Sequence, residues 1–196
     1  MLAQIEEIHQ FWFASLDEQG MSPAEQNALW FKSSQETDQL CRERFGSLVD
    51  TAINGGLQDW EASDRGLIAL IILLDQFPRN IHRGTPRAFS GDARALALAQ
   101  QSIALGRQQR LPAIHQVFLL LPLEHNEDII VQKKCVNLFQ ELAARTGLAA
   151  IQGYLRYAVA HRDVISQFGR FPHRNIILGR ESSPDELEYL QTHGGF

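Results

Sequence analysis

Lysine is almost missing from this chain: Lys32, Lys133 and Lys134 are three of 18 basic residues, and arginine supplies the rest. A planar guanidinium suits carboxylate and phosphate, where an ammonium is a mobile point charge; a GC-rich genome gives the same bias. Cysteine is equally scarce. Cys41 and Cys135 have apolar neighbours at helical spacing and read as small core residues of a reducing compartment, which excludes a disulfide scaffold. A basic excess is missing too: the formal net charge of -5 speaks against nucleic acid or an acidic membrane surface as partner. The longest apolar run, Leu67 to Leu74, falls far short of the ~20 residues of a membrane span. The opening Met1-Leu2-Ala3-Gln4-Ile5-Glu6-Glu7 lacks the basic start and apolar stretch of a secretory signal. The expectation is a cytoplasmic protein with no membrane contact.

What is present is an ordinary globular composition, 44% hydrophobic and 21% charged over 196 residues, enough for a single domain spanning 1–196. Apolar residues recur at three and four, never convincingly at two. Leu2, Ile5, Ile8 and Trp12 form the stripe of a first helix. Ser22-Pro23-Ala24-Glu25 spells an N-cap, an N1 proline and a capping-box glutamate before Leu29 and Trp30. Leu40, Cys41, Phe45, Leu48, Val49, Ala52 and Ile53 share a third helical face ended by Asn54-Gly55-Gly56. Ser63-Asp64 opens a helix that is apolar all round over Leu67–Leu74, as suits the centre of a bundle, with Pro78 as its expected stop. Helices are expected over Asp92–Ala104, Pro112–Leu121 (stopped by Pro122), Glu127–Ala144 and Leu148–Gln167. A last short one opens at the second capping box, Ser183-Pro184-Asp185-Glu186. The resulting expectation is all-α: eight or nine helices with short connections, stacked as antiparallel helical hairpins.

Three polar segments are not explained by packing. Asp75-Gln76-Phe77-Pro78-Arg79-Asn80-Ile81-His82-Arg83 follows the most apolar helix, which carries Asp75, Gln76 and Arg79 inward, where charges persist only when paired. Pro122-Leu123-Glu124-His125-Asn126-Glu127-Asp128 gathers carboxylates and an imidazole at an expected helix start, where the helix dipole favours them. His161-Arg162-Asp163 precedes Phe168-Gly169-Arg170-Phe171-Pro172-His173-Arg174-Asn175, with Arg180 beyond. Phe77-Pro78-Arg79-Asn80-Ile81 and Phe171-Pro172-His173-Arg174-Asn175-Ile176 echo each other, as a duplicated unit or a chance likeness.

Leu74 to Asn80, Leu121 to Asp128 and Phe168 to Asn175 resemble, in order, the signature blocks of a bacterial family known as domain of unknown function 924. Phe11-Trp12-Phe13 and Trp30-Phe31 resemble its N-terminal pattern. The resemblance spans nearly the whole chain. It implies an all-helical, tetratricopeptide-like fold and no particular activity.

The residues themselves leave three chemical readings. A metal site has ligand types in Glu124, His125, Glu127, Asp128, His161, Asp163 and His173, but neither the H-E-x-x-H nor the paired Glu-x-x-His spacing, so no metal and no cofactor is expected. Acid–base catalysis would use His125 or His161 with a carboxylate from another block, since His161 and Asp163 point to different sides of one helix. There is no nucleophile elbow, phosphate loop or dinucleotide fingerprint. Anion binding would use Arg79, Arg83, Arg170, Arg174 and Arg180, with Asn80 and Asn175 as neutral donors and His173 nearby, if these segments meet. Against that stands an internal network in which Asp75, Glu124, Glu127, Asp128 and Asp163 neutralise the arginines. The preferred expectation is a site for an acidic small molecule or the acidic end of a peptide; the alternative is a small-molecule enzyme using His125 or His161, with the arginines holding an anionic substrate.

Overall fold

The computed structural model describes residues 1–32 and 34–195, and it is all-helical, with no strand among them. The chain divides into two compact units: Met1–Arg83 with Arg87–Pro122, and Gly84–Pro86 with the chain from Leu123 onward.

The first unit contains α1 (Leu2–Phe13), α2 (Gln26–Phe31), α3 (Gln35–Ile53), α4 (Asp64–Ile71), α5 (Phe77–Ile81), α6 (Asp92–Ala104) and most of α7 (Ala113–Glu124). Its centre is the apolar run: every residue from Leu67 to Leu74 is at most 2% exposed. Around it pack aromatic rings, Phe45 stacked on Phe77 at 4.6 Å and Phe118 edge-on to Phe13 at 5.2 Å and Trp30 at 4.9 Å.

Proline placement departs from the sequence-based expectation, with a physical reason each time. Pro78 stops nothing. After α4 the chain makes a π turn, Ile72–Gln76, and passes straight into α5, in whose first turn Pro78 lies. The turn restarts the ladder, with the Phe77 N–H bonded to the Ile72 carbonyl. A first-turn residue needs no intrahelical N–H, so proline fits there. Pro122 is likewise inside α7, which continues to Glu124. Pro122 withholds a single N–H, the one the Phe118 carbonyl would receive, and the helix runs only two residues beyond it; its last carbonyls are captured by a side chain, described below.

The first expected capping box is absent. Pro23, Ala24 and Glu25 accept tight bonds from the N–H groups three residues on, and α2 starts only at Gln26. The Gln26 amide and the Trp30 indole donate to carbonyls at the end of α1, from 2.8 to 3.1 Å, and so close that helix.

The second unit is built on α8 (Ile129–Thr146) and α9 (Ala149–Phe168), an antiparallel hairpin turned by Gly147 at φ 66. A 3-10 turn, Pro172–Arg174, and α10 (Pro184–His193) complete it. Here the capping box is as expected: Ser183 and Glu186 bond each other's backbone N–H. The second polar segment straddles two helices rather than opening one. Glu124 ends α7, Asp128 caps α8 by accepting from the Ile130 and Val131 N–H groups, and Glu127 lies outside both. The two echoing segments also differ, one being helix α5 and the other a 3-10 turn. Val164, Ile165 and Phe171 form a small core against Ile129, Phe168 and Tyr189.

Candidate functional site

The third polar segment takes its shape from where α9 stops. Gly169, at φ 70, turns the chain out of the helix, so that Arg170 leaves on one side and Phe171 is buried completely. The 3-10 turn then folds Arg174 back over the Phe171 ring, its guanidinium carbon 4.5 Å from the ring centroid, while one of its nitrogens donates to the His125 carbonyl at 2.9 Å. Arg174 is 7% exposed. His161 meets the same ring edge-on at 5.5 Å, His173 lies 5.7 Å from it, and His125 and His161 are 6.4 Å apart between ring centroids. His125 and His173 are half-buried, so solvent reaches the cluster from both.

Two ion pairs brace this arrangement. Arg180 grips Glu127 at 2.6 and 3.0 Å, and the other face of that carboxylate accepts the Phe171 N–H at 2.8 Å. Burial pushes the Glu127 carboxyl upward, but the Arg180 bonds and the Phe171 N–H outweigh it and hold the group below its usual range. Arg170 forms a two-bond fork with Glu186 at 2.7 and 2.8 Å. Glu186 also accepts from the Ser183 N–H and from Asn175, and the Arg170 fork, foremost among these, holds its carboxyl at about 2. Asn175, 1% exposed, accepts from Arg180 as well, so one amide joins the two pairs.

His161 is held differently. Its Nδ1 is 2.9 Å from the Tyr157 carbonyl and 3.3 Å from Glu124. Both are acceptors, so Nδ1 carries the proton. Burial, reinforced by the nearness of His125, Arg174 and His173, pushes this imidazole down to about 3. It is neutral at physiological pH, and its contact with Glu124 is a hydrogen bond rather than an ion pair.

The turn carrying Glu124, His125 and Asn126 owes its position to Gln132, a fully buried amide in the first turns of α8. Its Nε2 faces the carbonyls of Leu123, Glu124 and Asn126 at 3.4, 2.6 and 2.6 Å, supplying the bonds that α7 cannot make beyond Pro122. Gln132→Leu removes the donor and leaves buried carbonyls unbonded. The expected result is a loss of about 2 kcal/mol, read as a lower urea midpoint at unchanged slope.

Of the sequence-predicted residues, Glu124, His125, Glu127, His161, Arg170, His173, Arg174, Asn175 and Arg180 come together in the second unit. Asp75, Arg79, Asn80 and Arg83 belong to the first. There the buried Asp75 lies 4.0 Å from Arg79, whose main partners are Asp92, at 2.9 Å, and the Ala88 carbonyl. Asn80 and Arg83 both bond Asp38 of α3, at 2.7 to 2.9 Å. Burial pulls the Asp38 carboxyl up, and these donors bring it down below its usual range. Asp163 is exposed and pairs with its neighbour Arg162. Glu186, Gln132, Asp38 and Asp92 are the residues that the sequence reading did not single out. Glu186 alone carried a signal, because a capping-box glutamate is a buried acceptor by design. Among the described residues no three His, Cys, Asp or Glu side chains converge as metal ligands do, and no helix is long and apolar enough to cross a membrane.

A family model described as bacterial protein of unknown function (DUF924) matches residues 8–194. A solved structure of a protein of unknown function from Agrobacterium tumefaciens is 35% identical, with a TM-score of 0.81 over 97% of this chain and 98% of that one. No curated protein is similar to the chain.

Proposed function

The chain belongs to the DUF924 family of bacterial proteins of unknown function, and from that footing we propose that it is a binding protein for an acidic small molecule or the acidic end of a peptide. One observation carries the proposal. Three basic side chains from two segments, His125 of one and His173 and Arg174 of the other, gather around a neutral, buried His161 and the face of Phe171. A guanidinium held over a ring face is pre-oriented for an oxyanion, and partly buried charge–anion hydrogen bonds are stronger than those in open water. The Glu127–Arg180 and Glu186–Arg170 pairs serve as struts of the site. In the first unit Asp75, Arg79, Asn80 and Arg83 serve structure in the same way, tied to Asp38 and Asp92.

His161 takes no part in acid–base work here. A general base is most effective with a pKa near the working pH, and a group at about 3 is far from it. A cytoplasmic setting goes with this reading, both thiols being buried and unpaired with each other, as does a single tetratricopeptide-like domain, 1–196, of stacked hairpins.

The test is a thermal-shift and calorimetric screen at fixed salt with inorganic phosphate, citrate and a short peptide ending in aspartate. At least one probe is expected to raise Tm by several degrees, since a ligand that binds only the folded state stabilises it. Arg174→Gln abolishes that shift, and Arg174→Lys restores part of it. No shift from any probe, or a shift equal in Arg174→Gln, overturns the reading.

A further inference from the structure

The first unit holds a histidine pair of its own. His9 on α1 and His115 on α7 are each 3% exposed, and their rings meet edge to face at 4.9 Å. Phe13 flanks both, 5.5 Å from one and 4.5 Å from the other. His9 Nε2 lies 2.9 Å from the Arg65 carbonyl oxygen of α4. That oxygen accepts, so Nε2 carries the proton and Nδ1 presents a lone pair. Among the described residues neither His9 Nδ1 nor His115 Nε2 has a hydrogen-bond partner.

The surrounding charges are already committed. Arg65 from α4 acts on both rings and Glu6 from α1 on His9, and two hydrogen bonds join Arg65 to Glu6. Asp64, the other charge of α4, is held by Arg107 and Arg110, and Glu7 of α1 by Arg44. From α7 the adjacent Gln116 gives its amide to the Leu111 carbonyl, and α2 contributes the uncharged Trp30 against Phe13. A proton arriving on either imidazole creates a buried cation beside a second imidazole, with no carboxylate to meet it unless Glu6 deserts Arg65.

We infer that His9 and His115 are an acid-sensitive latch, holding α1 docked on the first unit while both are neutral and releasing it when either is protonated. Release gives both rings to water. It also uncovers Trp12 and Phe13, each about 1% exposed in the docked state.

The sign follows from linkage. Burial holds both imidazoles below their usual range, His115 down to about 3, whereas a released histidine titrates near 6.5. Between these values the released form binds more protons. Docking is therefore complete above about pH 6.5 and weakens toward pH 3, by up to tenfold per pH unit for each histidine.

Hydrogen exchange on the whole protein tests this, with rates corrected for the intrinsic pH dependence. Protection of α1 amides is expected to fall as pH drops below 6.5 while that of α8 and α9 persists. His115→Phe, which keeps the ring and removes one proton site, moves the α1 midpoint at least half a pH unit lower and flattens its slope. If that variant does not fold, His115→Gln carries the same test. Loss of protection in α1 together with α8 and α9, or a midpoint unmoved by the substitution, overturns the latch.

Discussion

Gly91→Ala is expected to destabilise the first unit by about 4 kcal/mol or to prevent its folding, the outcome reserved for changes the structure has no means to absorb. Gly91 precedes α6, and a β-carbon built on it lies 2.1 Å from the Leu74 carbonyl oxygen and 2.8 and 2.9 Å from that residue's carbonyl and α-carbons. No rotamer relieves such a clash, because both sides are backbone and Leu74 lies within the π turn. Its φ of -92 is open to any residue, so the requirement for glycine is purely one of space. Gly46 in α3 is the matched control. A methyl there has no atom within 4 Å, and Gly46→Ala should stabilise by about 0.8 kcal/mol through helix propensity alone. Urea melts of the two variants should therefore move in opposite directions, and a tolerated Gly91→Ala would refute the close approach of α6 to the π turn.

Removing the Glu186 carboxylate is the other large effect. This side chain is 2% exposed and takes bonds from Arg170, Asn175 and the Ser183 N–H, so it is at once helix cap, ion-pair partner and junction. Truncating one member of such a pair leaves the others desolvated without their partner, and Glu186→Ala is expected to lose about 3 kcal/mol. Glu186→Gln, which keeps the shape, should lose less. Acid offers an independent check. The folded carboxyl sits at about 2, below its ordinary 4.5, so its contribution is complete above pH 4.5 and is lost as pH falls toward 2. That window opens below the onset of the His9 and His115 effect and overlaps only its acid end, so comparing acid titrations of the wild type and of Glu186→Gln separates the two.

Much of this was legible in the sequence because it depends on local rules. Helix periodicity and the box at Ser183 are settled within a few residues, and the continuous apolar run placed its own helix at the centre. Proline misled at Pro78 and Pro122, since the reading assumed an unbroken α ladder upstream of one and no outside donor for the other. The site was half legible. Blocks rich in arginine and acid announced a polar network, but the partners that complete it, Glu186, Asp38 and Asp92, lie 11 to 45 positions away from the residues they bind. Gln132 resembled any helical glutamine. Its role depends on a turn that exists only because α7 overruns Pro122.

The π turn at Ile72–Gln76 adds one residue to a ladder that would otherwise repeat every four, which makes it a frozen insertion. Deleting one residue of that segment should therefore remove the bulge and restore a plain continuous helix, leaving the chain after it in its present orientation. Arg79, Asn80 and Arg83 would keep facing Asp92 and Asp38, and the change would be confined to the turn itself. The π turn is thus a reserve of length: the chain can lose one residue there without disturbing the ion pairs beyond it.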